Sequence, residues 1–383
     1  MKSTIWFAIV LLLAFGLGGS FFYLLQNNSP APTSVLPEFG SSVPTAGFPL
    51  PSPQSWTLLI TGDVIPARVV NQKMVAKNDF RWPLTNFFEL LQKADLTLIN
   101  LESPLLTDCP VTNEGMKFCG DARFATSLQD AGVDVANLAN NHTLNYGWEG
   151  LKETQAELGK VGIATTGFSY SVVHNAPSPP LILRGGTPSL SVREGWGELF
   201  NCEGDIYCSS FITKLVNGVS IGFLGYNAVG QQVDRELIKK QIATADPLVD
   251  VLVVSVHWGK EYTREPDTDS IAVDDPKNLG KLFIDWGADV VVGNHPHWYQ
   301  PFDFAQGRDG KDKIIFYALG NFIFDQEWSP ETKVGYLAKL QFSGKEIIKD
   351  ELEIIPIGIK DYGQAFLLEG QEKEEVLHNL KMN

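Results

Sequence analysis

Two histidines separated by one proline, His295 and His297, end the apolar run "GADVVVGNHPH" in a chain of 383 residues that contains only six histidines. Four other apolar runs end in a similar way. "TLLITGD" closes on Asp63, "ADLTLINLE" on Asn100 and Glu102, "VDVANLANNH" on Asn140, Asn141 and His142, and "VDVLVVSVHWG" on His257. Taken singly, each has a plain structural explanation: a carboxylate caps a turn, His142 is a satisfied loop residue, His257 beside Trp258 is a packed core side chain. Taken together, they gather carboxylate, amide oxygen and imidazole, without lysine, at the ends of five apolar runs. Independent core histidines have no reason to share that position. The donor set is that of a borderline divalent cation such as Mn²⁺, Zn²⁺ or Fe²⁺, and the expectation is a centre for one or two such ions.

Residues so far apart in sequence meet only if the elements carrying them end at one edge. The Val/Ile/Leu runs are continuous, as in strands covered on both faces, and helical stretches separate them, at 84–93, in "GWEGLKETQAELGKVG" and at Pro276–Trp286. That rhythm predicts an α/β domain whose ligands lie beyond the carboxyl ends of its strands. Two stretches depart from it. Residues 210–227 carry Asn217-Gly218 between alternating strands, a hairpin signal. The C-terminal part, "KIIFYALGNFIFD" and then residues 335–360, reads as antiparallel strands. The predicted architecture is two sheets packed face to face with helices outside.

The remaining composition limits the setting. With 44% apolar residues the chain can build a sizeable core, and a formal charge of −15 without a basic block argues against nucleic acid and against adhesion of the body to anionic lipid. Lys2 precedes an uncharged stretch over residues 5–25, long enough to span a bilayer as a helix. Phe21, Phe22 and Tyr23 stand where a cleavage site would need small residues, so the reading is an uncleaved signal anchor over 1–26, with a cleaved signal peptide as its rival. Lys2 places the N-terminus inside and the bulk of the chain outside the cytoplasm. Residues 27–55, rich in Pro and Ser, read as a disordered tether, 56–372 as one folded domain and 373–383 as a short charged helix or tail. Four cysteines in two close pairs, Cys109 with Cys119 and Cys202 with Cys208, suggest two local disulfides in an exported chain. A four-cysteine zinc site is the alternative, and it needs tighter spacing.

Six motifs in order, "TGDVIPAR", "NLESPL", "NLANNHTLNYG", "HWGKEY", "GNHPHWYQP" and "YALGNFIFD", resemble the capsule-synthesis CapA family, which is associated with bacterial poly-γ-glutamate capsules. The resemblance runs from about residue 56 to about residue 356. That family in turn resembles a branch of the calcineurin-type metallophosphoesterases, which implies a four-layer α/β/β/α sandwich. It also implies roles. Asp63 matches the first aspartate, Glu102 the bridging carboxylate, and Asn141 and His257 further metal ligands. His295 and His297 match the final His-x-His, one for each ion. His142 matches a general acid. Beyond the resemblance, Asn100 and Asn140 are expected to support the donors from behind, and Asn321 either to do the same or to cap a turn. Two cations about 3.5–4 Å apart can clamp both ends of an in-line displacement, and His142 could protonate the departing oxygen. Arg68 matches the family's Gly-Asp-x-x-x-x-Arg and would either grip a phosphate or carboxylate or form a structural ion pair. Tyr262 and Trp298 are expected as cleft walls, and His174 and His378 as exposed residues without a ligand role.

Two departures stand out. The phosphoesterases carry Asp-x-His at the first motif, but Val64 and Ile65 follow Asp63 here. One ion is therefore expected to lack a ligand. The family commonly has Asp three residues after the Asn-His pair, and this chain has Asn145, which should leave His142 less basic. The resemblance implies an anchored accessory protein for an anionic polymer, working beside an integral-membrane synthase. The rival readings are a metal-dependent phosphoesterase of the cell envelope and a non-catalytic metal-containing binding module.

Overall fold

In the computed structural model, which describes residues 54–168 and 209–380, strand β1 (Ser55–Val64) sends Leu58 and Ile60 into one hydrophobic core and Leu59 into another. This two-residue alternation, with both faces buried, explains the unbroken apolar run. After β1 come α1 (Val69–Lys77), α2 (Phe88–Lys93) and β2 (Leu96–Leu101), then the short pair β3 (Leu105–Leu106) and β4 (Gly120–Asp121). Next are α3 (Phe124–Ala131), β5 (Val135–Asn137), α4 (Gly147–Lys160) and β6 (Ala164–Phe168). Strands β1, β2, β5 and β6 run parallel in that order, and the helices between them bury Met74, Leu91, Phe124, Leu128, Leu151 and Leu158 against the Leu59 face.

The chain resumes with β7 (Ser209–Ser210), β8 (Ile212–Val216) and β9 (Val219–Asn227), followed by α5 (Arg235–Ala245), β10 (Val251–His257), α6 (Pro276–Trp286) and β11 (Val290–Asn294). Asn217 and Gly218 both adopt positive φ between β8 and β9, as the hairpin signal predicts. Strands β9, β10 and β11 are parallel and central to a second sheet. Val251 and Val253 of β10 enter the same core as Leu58 and Ile60, while Leu252 and Val254 pack under Ile238 and Ile242 of α5 and Leu279 and Phe283 of α6. Two sheets thus share one core and each is covered by helices on its other face. The layers are α/β/β/α.

The C-terminal part contains β12 (Phe302–Gln306), β13 (Asp312–Phe316), β14 (Asn321–Ile323), β15 (Val334–Ser343), β16 (Glu346–Ile347), β17 (Glu353–Lys360), β18 (Gln364–Leu367) and α7 (Gly370–Leu380). Its strands do not all pair antiparallel as expected. β13 lies parallel to β11, and the chain then crosses between sheets so that β14 lies parallel to the end of β1. On its other side β13 pairs antiparallel with β12, and β15, β16, β17 and β18 follow the antiparallel expectation. The crossover matters because it brings Asn321 alongside Asp63. Residues 373–380 are not a loose tail: α7 buries Val376 and Leu380 in the inter-sheet core and leaves His378 exposed.

Cys109 and Cys119 form a disulfide, which removes both thiols from any zinc site. The expected anchor at 5–25, the tether, the Cys202/Cys208 pair and His174 lie outside the described residues. Among the described residues, no helix is long and apolar enough to cross a membrane.

Candidate metal centre

The register of the first sheet aligns a row of polar side chains. Asn321 of β14, Asp63 of β1, Asn100 of β2 and Asn137 of β5 are successive partners across four parallel strands. The last three are hydrogen-bonded in a line: Asn137 Nδ2 donates to Asn100 Oδ1 at 3.0 Å, and Asn100 Nδ2 donates to Asp63 Oδ1 at 2.8 Å. A register shift between Ile60 and Asp63 re-aims the end of β1, so that Val64 packs with the outer helices. Gly62 makes this possible. A Cβ there would stand 1.9 Å from the carbonyl oxygen of Gly320, where β14 approaches and Gly320 accepts from the Asp63 amide at 2.9 Å.

The second sheet supplies the imidazoles. His257 ends β10 and pairs in register with Asn294 at the end of β11, which the His-Pro-His turn follows. His295 and His297 both adopt positive φ, 102° and 58°, and so does Tyr262 at 60°. Side chains with a Cβ pay about 1–3 kcal/mol each for such conformations, which persist where the surroundings over-determine them. The Tyr262 amide holds this turn by donating to Pro296 at 2.9 Å.

All six predicted donors meet at the facing strand ends. His257 Nε2 lies 3.0 Å from Asn141 Oδ1, 3.2 Å from His295 Nδ1 and 3.3 Å from Glu102 Oε1. His297 Nδ1 lies 3.4 Å from Asp63 Oδ2. The donors form two groups, Glu102 with His257 and His295, and Asp63 with Glu102 and His297, each with its donor atoms within 4.8 Å of one another. Glu102 belongs to both.

The residues fit divalent cations. One proton cannot satisfy His257 Nε2, His295 Nδ1, Asn141 Oδ1 and a carboxylate oxygen at once, so their lone pairs point at a common centre. Both Glu102 oxygens are fully buried without a hydrogen-bond partner, which is costly unless something positive meets them. The spacings agree as well. Metal–ligand bonds of about 2.1 Å place neighbouring donors about 3.0 Å apart in an octahedron and about 3.4 Å apart in a tetrahedron.

The electrostatics suit a cation-binding site. Burial drives His257 down to about 3 and His295 well below the ordinary histidine range, leaving both neutral and available as ligands. Burial, then the charge of Asp63, pushes the Glu102 carboxyl well above its usual range. His297 goes the other way. Burial opposes its charged form, but the hydrogen bond it donates to Asp63 and the charges of Glu102 and Asp63 prevail and raise it to about 9. Asp63, despite its burial, is lowered by His297.

His142 faces the same cleft. Its Nδ1 lies 3.1 Å from Asn145 Oδ1, which also accepts the Phe118 amide at 2.7 Å, and the Phe118 ring packs 4.2 Å from the imidazole. Burial lowers His142 to about 4 against the opposing pull of Asn145. Asn140 shapes the loop: Nδ2 donates to Leu101 O, and Oδ1 accepts from the His142 amide and the Thr143 hydroxyl. Arg68 takes the ion-pair role. Its Nε donates to Asp325 at 3.1 Å, its Nη2 also meets that carboxylate, and its guanidinium lies about 5 Å from the Phe118 and Phe324 rings. It nevertheless lines the open cleft of about 470 Å³ with His142, Glu261, Tyr262, His297 and Trp328.

Some assignments change. Asn321 stands beside Asp63 with its Oδ1 2.9 Å from His297 Nδ1, in the centre itself. Trp298 is not a cleft wall and lies 5.3 Å from the Arg264 guanidinium. Ile65 occupies no polar place: it packs with Ala67, Phe118 and Phe324 in a small apolar cluster. Sequence reasoning passed over Asp325, although it ends an apolar run as Asp63 does, and Glu261, four residues past His257, whose Oε1 lies 4.0 Å from His295 Nε2. It also missed Asn137, which ends its own strand.

Residues 57–326 match the family described as "Bacterial capsule synthesis protein PGA_cap". The chain is 28% identical over 263 residues to the PGA biosynthesis protein CapA of Bacillus subtilis, covering 65% of this chain and 57% of that protein. It thus spans little more than half of that relative's length. Similarity to the capsule biosynthesis protein CapA of Bacillus anthracis is 27% over 351 residues, 85% of this chain and 72% of the other. Among solved structures, a phosphatase from Mycoplasma pneumoniae aligns with a TM-score of 0.44 and 15% identity, over 80% of this chain and 94% of that one.

Proposed function

The chain belongs to the bacterial capsule synthesis protein PGA_cap family, and from that premise we propose that it is a membrane-anchored, extracytoplasmic accessory protein in making or exporting a polyglutamate-type capsule polymer, acting through a divalent-metal centre of metallophosphoesterase type. The single observation that carries the metal-dependent part is Glu102: one buried carboxylate without hydrogen bonds, common to two donor groups. Asp63, Glu102 and His297 would hold one ion, and Glu102, Asn141, His257 and His295 the other. When bound, such ions supply Lewis acidity and a template for an oxygen displacement. The protein's own groups do the rest. Asn145 accepts from His142 Nδ1–H and so fixes the tautomer and ring orientation, leaving Nε2 as the atom that exchanges a proton with a group in the cleft. Phe118 and Tyr262 line that space.

The anionic polymer would be met by the cations, since Arg68 is already neutralised by Asp325. The anchor at 5–25 would hold this domain beside an integral-membrane synthase. A second reading, hydrolysis of a phosphoester in the cell envelope, is favoured by the position of His142 at the cleft. A third, a binding module that uses metal for shape, is favoured by how weakly His142 holds a proton.

Metal content and phosphodiesterase turnover of the protein and of its His142→Ala and His257→Ala variants separate these readings. Turnover lost in both variants supports a hydrolase, and bound metal without turnover supports the module. Loss of surface polymer in a deletion strain, restored by wild type and not by His257→Ala, is the result expected for the capsule role. Polymer at normal levels in the deletion strain would refute that role.

A further inference from the structure

The two donor groups are unequal in a way that the fold repairs. Glu102, Asn141, His257 and His295 make four donors for one ion, whereas Asp63, Glu102 and His297 make three for the other. Ile65, near Asp63 in sequence, contributes only to an apolar cluster. On the opposite side of Asp63, β14 brings in Asn321 as its direct register partner. Asn321 is 1% exposed, and its Nδ2 donates to Thr332 O at 2.9 Å, which turns Oδ1 inward. That oxygen lies 2.9 Å from His297 Nδ1, closely matching the 3.0 Å between Asn141 Oδ1 and His257 Nε2 in the other group. On each side of Glu102 an asparagine oxygen faces a histidine ring nitrogen at close range, Nδ1 in His297 and Nε2 in His257.

We propose that Asn321 is a metal ligand, completing the Asp63–Glu102–His297 site through its Oδ1 and giving each cation four protein donors, including one amide oxygen. This inference rests on the metal centre proposed above and adds a ligand to it. The competing role is that of a positioning residue: Asn321 Oδ1 would accept a hydrogen bond from His297 Nδ1–H and direct Nε2 to the ion. The two differ in one distance. Crystals of the protein saturated with Mn²⁺, with data collected at the manganese edge, locate each ion by its anomalous signal. An ion about 2.0–2.3 Å from Asn321 Oδ1, a bonding distance for oxygen donors, supports the assignment. An ion held by Asp63 and Glu102 with Asn321 Oδ1 beyond about 3 Å, outside bonding range, overturns it and leaves the metal centre intact. No ion between Asp63, Glu102 and His297 at saturating Mn²⁺ overturns both.

Calorimetric titration of Asn321→Leu with Mn²⁺ gives a solution test independent of activity. One of two ions is expected to be lost at micromolar concentrations while the other keeps its wild-type affinity, and that retained ion reports that the fold is preserved. Two ions bound as tightly as in wild type would refute ligation by Asn321.

Discussion

His142 is buried against the Phe118 ring with a neutral amide, Asn145, as the acceptor for its Nδ1. Burial penalises the imidazolium and an amide dipole offsets only part of that, hence the fall to about 4. A carboxylate in the same place would favour the charged ring by about one to three pH units. Asn145→Asp, which keeps the acceptor for the Phe118 amide, should therefore raise His142 by at least about one unit, read from the imidazole resonances in an NMR titration. An unchanged midpoint would show that Asn145 does not set the basicity of this ring. The donors make a second residue-level case. At pH 7 His297, raised to about 9, holds its proton. A cation needs this histidine deprotonated, so binding should release a proton and tighten as pH rises toward about 9. Below that, affinity should fall by up to tenfold per pH unit for each proton displaced. Mn²⁺ titrations in two buffers of different ionisation heat measure the release directly, and heats that do not depend on the buffer would contradict it.

Strand ends place these residues, and the most constrained is the end of β1. Gly62 lets β14 come close enough for Gly320 to accept from the Asp63 amide, and a methyl group would occupy the space of the Gly320 oxygen. Gly62→Ala should cost about 1–3 kcal/mol or more through overpacking and should weaken metal binding, because Asp63 and Asn321 are partners across that contact. Gly159→Ala is the control. Gly159 lies exposed in α4 with open space around its missing Cβ, and the change should be neutral or stabilise by up to about 1 kcal/mol. Urea unfolding with and without Mn²⁺ compares the two, and equal losses would refute the argument from close approach. The same strand shows what was legible in the sequence. An apolar run ending on a carboxylate identified β1 and β2, and one ending on histidine identified β10 and β11, with the donors at their ends, because burial on both faces and a polar tip are written locally. The parallel pairing of β14 was not legible. Three residues long, it gains its place from the crossover at 317–320 and from Gly62, which no local pattern records. For the same reason Asn321 read as support for the donors or a turn cap, and Arg68 was left between two roles until Asp325 arrived from 257 residues away.

At the scale of the whole molecule, charge sets the terms on which a polyanion can be met. A formal net charge of −15 repels polyglutamate at long range, and the cleft adds Glu114, Glu261 and Glu327 to its lining. Arg68, its basic residue on that lining, is paired with Asp325. On the proposed function, attraction would come from cations in the centre, through direct contacts of a few ångströms that salt screens little. Repulsion acts over the Debye length, which shrinks from about 20 Å at 20 mM salt to about 7 Å at 200 mM. Oligo-γ-glutamate should therefore fail to bind the metal-free protein at low salt. It should bind the Mn²⁺-loaded protein more tightly at 200 mM than at 20 mM sodium chloride, the reverse of the salt dependence of a basic polyanion-binding protein. Fluorescence anisotropy of a labelled oligomer at fixed Mn²⁺ measures both effects. Binding that needs no metal and weakens with salt would mean that the polymer is held by a basic surface elsewhere on the chain, and the centre built around Glu102 would have no part in recognising it.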